Sequence, residues 1–215
     1  MAHVAAMRPP ALPLFLFGLA VSLAYFALVR AGVEAPWMAA LKGVPVGTLA
    51  LWAALQARGS DGRLIAAALA FGALGDVLLE THGLITGALA FLAGHLVATA
   101  LYLRHRRTGR FGAAAIAVLV AVAAASLPAD RPAPGIGVYS LGLGAMAGTA
   151  WFSRFPRATV GLGAAPFVLS DFLIFARLGP LAGSPIPDWL VWPTYSAGQA
   201  LIAWGVVRTL REGRA

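Results

Sequence analysis

The chain has 215 residues, of which 60% are hydrophobic and only 11% charged; its net charge is +8 and it holds no cysteine. A soluble domain carries about 25% charged residues, so this composition cannot solvate a globular surface and describes an integral membrane protein. Without cysteine there are no disulfides, thiolate metal sites or cysteine nucleophiles. The arginines stand between hydrophobic runs and not along one face, which argues against nucleic acid as a partner and makes them topology signals.

A spanning helix needs about 20 mostly apolar residues. Turn formers and charges cut the chain into eight such runs, at 11–30, 36–57, 63–80, 84–103, 111–127, 135–153, 159–177 and 189–210. The first follows Arg8 and is as long as a full span, with no clean cleavage site after it, so it reads as a retained span and not as a signal peptide. The second carries Lys42 and Pro45. The third contains FGALGDVLLE, with Asp76 and Glu80 one helical turn apart. In the fourth, Phe91, His95, Thr99 and Tyr102 form a stripe at helical spacing. The fifth is rich in Ala and Val and reads as scaffold. The sixth places Tyr139, the seventh (FVLSDFLIF) Ser170 and Asp171, and the eighth Tyr195 and Gln199, four residues apart. Gly72, Gly75, Gly142, Gly144, Gly148, Gly161 and Gly163 fall inside these runs, where small residues let helices approach closely.

Eight spans put both termini and the even-numbered loops on one side. Twelve arginines fall there, against Arg30, Arg131 and Arg177 on the other side, so the positive-inside rule makes both ends cytoplasmic. The expected fold is therefore an all-α bundle of eight transmembrane helices, a single transmembrane domain over residues 1–215. The Gly-Asp and Ser-Asp stretches, 95 positions apart (76 and 171), echo each other as two parallel four-helix halves would.

Orientation gives depth. Lys42, Asp76, Tyr139, Asp171 and Tyr195 fall in the outer half, His95 near mid-depth and Gln199 one turn below Tyr195. A charge at the bilayer centre costs roughly 2.5–3.5 kcal/mol on insertion scales. These groups should therefore face one protein-lined pocket, open to the extracytoplasmic side. Some have simpler readings: His95 as a packing group, Tyr139 and Tyr195 as interfacial aromatics, Glu80 and His82 as solvated residues, Lys42 as snorkelling or paired with an aspartate. Asp76 and Asp171 are the hardest to place in a purely structural role.

Taken in order, Lys42 with Pro45, Gly75-Asp76, Gly94-His95 with Tyr102, Ser170-Asp171, and Tyr195 with Gln199 resemble the pattern of the YhhN family of membrane proteins, the lysoplasmalogenases, over essentially the whole chain. One departure is that Gly43 and Val44 separate Lys42 from Pro45, where the family more often has Lys directly before Pro. The resemblance implies a hydrolase that cleaves the vinyl-ether bond of an alkenyl lysophospholipid to a fatty aldehyde and a glycerophospho-base. It implies no cofactor and no metal. The expected setting is the bacterial cytoplasmic (inner) membrane, with lysophospholipid as substrate and membrane lipids as surroundings.

Vinyl-ether hydrolysis starts by protonating the alkene carbon remote from oxygen, which gives an oxocarbenium ion that water traps. It needs a proton donor, a negative charge and a base, which two carboxylates supply much as in glycosidases. Asp76 and Asp171 are the expected catalytic pair, with the acid and base roles open between them. Lys42, His95, Tyr139, Ser170, Tyr195 and Gln199 are the expected substrate-binding groups, Lys42 holding phosphate or tuning an aspartate. The alternative is a proton-coupled transporter built on the same buried groups. A carrier needs gates on both sides of its cavity, whereas an enzyme needs a cavity closed at its cytoplasmic end.

Overall fold

Apolar runs away from water satisfy their backbone by closing each N–H onto a carbonyl of the same segment. The computed structural model, which describes residues 12–107, 110–128 and 133–213, does this in each of its helices. Arg8, Arg131 and Arg214 of the charge count lie outside them. The elements are α1 (Leu12–Arg30), α2 (Trp37–Gln56), α3 (Gly59–Arg104), α4 (Arg110–Ala125), α5 (Pro134–Trp151), a π-helical turn (Arg157–Gly161) leading into α6 (Leu162–Ala176), and α7 (Ile186–Arg211). Among the described residues no strand forms, and one isolated bridge joins Arg106 to Ser153. α1, α2, α3 and the Arg157–Ala176 stretch are long and apolar enough to cross a membrane. Outward-facing Leu23 (71% exposed), Leu119 (68%) and Ile85 (78%) fit apolar surroundings.

The main departure from the expected runs is α3. The separate runs 63–80 and 84–103 form one helical element that doubles back at a single residue, Gly83, with φ 82° and ψ 178°. That backbone region is essentially reserved for glycine. Thr81 and His82, expected in a loop, stay helical, and Thr81 Oγ1 donates to Val77 O at 2.9 Å. The arms, 59–82 and 84–104, pack face to face. A Cβ on Gly94 would lie 3.0 Å from Ala68 O. At their far ends Asp61 pairs with Arg104 (2.8 Å) and His105 (2.7 Å). The polar stretch ARGSDGR was expected as a break, but its Ser60 and Asp61 make the first turn of α3, where an acidic residue favours a helix N-terminus. Similarly α7 starts at Ile186, ahead of the expected run, because Pro187 in the first turn lacks only an N–H that would have no partner there.

Aromatic contacts fix the outer helices. Phe15 of α1 meets Trp52 of α2 (4.9 Å between ring centres) and Trp204 of α7 (5.3 Å), and the two tryptophans stack. α4 and α5 come close enough that a Cβ on Gly148 would lie 2.6 Å from Ala113 O, and one on Gly144 2.8 Å from Ala117 Cα. The arginines separate by end. Arg30 lies over Trp189 and Arg177 pairs with Asp188 at one end. Arg104 reaches Ser60 and Arg157 the Trp151 carbonyl at the other.

Gly83→Ala should lower stability by about 1–3 kcal/mol, read as a lower midpoint of unfolding in detergent. Gly135→Ala should be tolerated, because nothing lies within 4 Å of its Cβ position and its backbone is helical.

Candidate active site

Polar side chains from α2, the first arm of α3, α5, α6 and α7 converge on one cleft. Lys42, Asp76, Tyr139, Ser170, Asp171 and Tyr195 line it, with Phe91, Phe175, Trp192 and aliphatic residues completing the walls. It encloses about 510 Å³ out to its mouth. Asp76 is 2% exposed and Asp171 7%.

Each aspartate ends a chain of the same make-up. Tyr139 Oη donates to Asp171 Oδ2 at 2.6 Å, and His95 Nε2 lies 3.1 Å from the same hydroxyl. Tyr139 has one proton to give. With that proton on the bond to Asp171, the hydroxyl accepts from His95, so Nε2 carries the imidazole proton and Nδ1 is left as an acceptor. On the other side Tyr195 Oη donates to Asp76 Oδ2 at 2.7 Å, and Gln199 Nε2 donates to Tyr195 Oη at 3.4 Å. A nitrogen donor, a tyrosine hydroxyl and a carboxylate thus follow one another twice. Buried polar groups need such partners, since an unpaired one loses its hydration without return.

Six of the eight expected site residues line the cleft. His95 and Gln199 do not. They line a second, deeper cavity and touch the cleft only through their tyrosines. The wall between the two is Phe91, which lines both and meets the Tyr195 ring edge-on. Gly75 makes room for it: a Cβ there would lie 2.7 Å from the Phe91 ring. A Cβ on Gly72 would likewise lie 2.9 Å from Gln199 Nε2. These two glycines, expected to serve close helix packing, instead admit side chains of the site.

Lys42 pairs with Glu80, Nζ to Oε1 2.6 Å, and with neither aspartate. Its aliphatic stem lies along the cleft, leaving the side chain 16% exposed against 46% for Glu80. The ammonium takes the carboxylate nearer the mouth, where less hydration is lost. This replaces the ion pair with an aspartate, while Glu80, read as solvated, is exposed as well as paired. Ser170 gives its proton to Phe167 O (2.7 Å) and lies 3.3 Å from Asp171 Oδ1, so it borders the aspartate more than it binds it.

Trp192 went unread as a wall of the site. Its Nε1 donates to Ser22 O at 3.0 Å, and its ring packs on Tyr25 (4.4 Å) and Tyr195 (5.7 Å). The signal was its spacing: Trp192, Tyr195 and Gln199 stand at i, i+3 and i+7 on one helix face.

A profile of the YhhN family matches residues 37–206. The match takes in every member of both aspartate chains and leaves out α1. No curated protein and no solved structure matches the chain.

Glu80→Gln should change stability by no more than about 1 kcal/mol, as for other exposed ion pairs. Gly75→Ala should cost about 1–3 kcal/mol, because the Phe91 ring must give way. Unfolding of the two variants in mixed detergent micelles compares them directly.

Proposed function

The chain belongs to the YhhN family, and we propose from that premise that it is a lysoplasmalogenase, hydrolysing the vinyl-ether bond of an alkenyl lysophospholipid. The observation that carries this reading is the pair of buried aspartates on one cleft, each held by a tyrosine hydroxyl.

The reaction balances over two carboxyls. One, as the acid, protonates the alkene carbon remote from the ether oxygen. The oxocarbenium ion that forms is stabilised by the other, a carboxylate. Water adds to the cationic carbon and its proton passes to that carboxylate. The product is a hemiacetal, and the two carboxyls have exchanged protonation states. Collapse reverses the exchange: the second carboxyl protonates the departing glycerol oxygen, and the hemiacetal hydroxyl returns a proton to the first. Aldehyde and glycerophospho-base leave with the pair reset and one water consumed. Each aspartate serves once as acid and once as base, which suits their matching support by a nitrogen donor and a tyrosine.

Lys42 would meet the substrate phosphate after leaving Glu80, and the alkenyl chain would run along Leu79, Leu84, Ile174 and Val191. In the proposed topology the chain crosses a bacterial inner membrane eight times, each arm of α3 counting once. Both termini are then cytoplasmic and the cleft opens outward. Ile65 and Tyr102, which line the deeper cavity, and Leu101 and Phe155, which do not, are each 0% exposed. Packing this tight favours an enzyme over a carrier, which needs a path onward.

Purified protein given an alkenyl lysophospholipid should release fatty aldehyde. Asp76→Asn and Asp171→Asn should each lower kcat at least about 100-fold. Tyr139→Phe and Tyr195→Phe should lower it about tenfold, the worth of one hydrogen bond. The reading fails if both aspartate variants, well folded, keep the full rate.

A further inference from the structure

Behind Phe91 lies the deeper cavity, whose lining includes His95, Ala98, Tyr102, Met146 and Gln199. All of its lining residues but Ala68 are buried. Most are apolar, and an apolar cavity of this size stays dry. Three are not. Tyr102 is 0% exposed and its hydroxyl has no hydrogen-bond partner among the described residues. His95 has Nε2 committed to Tyr139, which leaves Nδ1 as an acceptor. Gln199 gives Nε2 to Tyr195, which leaves its carbonyl oxygen. An orphaned buried hydroxyl loses its hydration without return, so a native fold that keeps one beside a cavity needs a partner inside it.

We infer that this cavity is an internal water site, held by Tyr102, His95 and Gln199, that supplies the water consumed in hydrolysis. It has room for about two water molecules, and a buried water needs two to four polar partners. Water there can accept from Tyr102 and donate to the His95 nitrogen and the Gln199 carbonyl oxygen. The role in turnover rests on the proposed lysoplasmalogenase activity. A lipid whose headgroup fills the mouth and whose tail lines the wall shuts the cleft to bulk water at the moment water is required. The cavity adjoins both aspartate chains at their nitrogen donors, with Phe91 as the wall it shares with the cleft.

X-ray hydroxyl-radical footprinting on the full chain in detergent reads the water without reference to activity, because radicals form from water at the site. Met146 (2% exposed) and Tyr102 are shielded from bulk solvent and should nonetheless be oxidised in the wild type. Ala98→Leu fills the cavity and should cut oxidation of both at least about fivefold. Tyr102→Phe keeps the volume, removes one partner and should cut oxidation of Met146; it keeps the test open if the filling variant misfolds. No oxidation of either residue in the wild type, or oxidation unchanged by both variants, overturns the water site. In the hydrolysis assay both variants should lower kcat at constant KM, equally for short and long alkenyl chains. A loss confined to long chains would make the cavity a tail subsite and overturn the inference. If the wild type hydrolyses nothing, oxidation of Met146 and Tyr102 still establishes the water, and only the reaction assigned to the cleft falls.

Discussion

A carboxylate held away from water must find donors within the protein, and the bundle is organised around doing this twice. Asp171 draws on α5 through Tyr139 and, behind it, on the second arm of α3 through His95. Asp76, on the first arm of α3, draws on α7 through Tyr195 and Gln199. The two chains therefore tie four elements, with α3 contributing to both. Either tyrosine is a joint: it has one proton to donate, gives it to a carboxylate and accepts from the nitrogen behind. Packing around the joints is aromatic. His95 and Tyr195 both meet the Phe167 ring edge-on, so rotation of either is resisted by the same residue.

Everything else at the site follows from bringing helices close enough for these contacts. The reversal at Gly83 places the two arms of α3 side by side without a loop, so Asp76 and Phe91 come level with each other. Gly75 and Gly72 then spare the space that Phe91 and Gln199 occupy. α1 lies outside the family match, yet it braces the cleft from behind, through the Trp192 bond to Ser22 and the ring of Tyr25. Its contribution is support, and the polar residues of the cleft stand on α2, α3, α5, α6 and α7.

The polar half of this arrangement was legible in the sequence for a physical reason. Asp76 and Asp171 stand in runs where a short carboxylate has no route to water, and the arginine bias gives each run a direction. Depth along the helix followed, and with it the meeting of Lys42, Tyr139, Ser170 and Tyr195 with the two aspartates. Rotation about the helix axis did not follow. That is why Lys42 reads as a partner for an aspartate when its partner, 38 residues away, is Glu80. His95 and Gln199 read as pocket residues at greater depth, and they reach the cleft only through their tyrosines. Trp192 shows only in its spacing and Phe91 only as the head of the His95 stripe, because an aromatic residue in an apolar run is what any core would contain. The single-residue reversal was illegible for the opposite reason: THG reads as a loop, and only the backbone angles of Gly83 show that none is needed.

The central claim is that a carboxyl of this pair delivers a proton to carbon. It is tested most directly by hydrolysing an alkenyl lysophospholipid in D₂O, trapping the aldehyde at once by reduction and locating deuterium by mass spectrometry and NMR. Two carboxyls acting in sequence predict one deuterium on the carbon next to the former carbonyl, delivered to a single face, and no such product from Asp76→Asn or Asp171→Asn. An aldehyde without deuterium at that carbon, or with it on both faces equally, would contradict proton delivery from a fixed carboxyl.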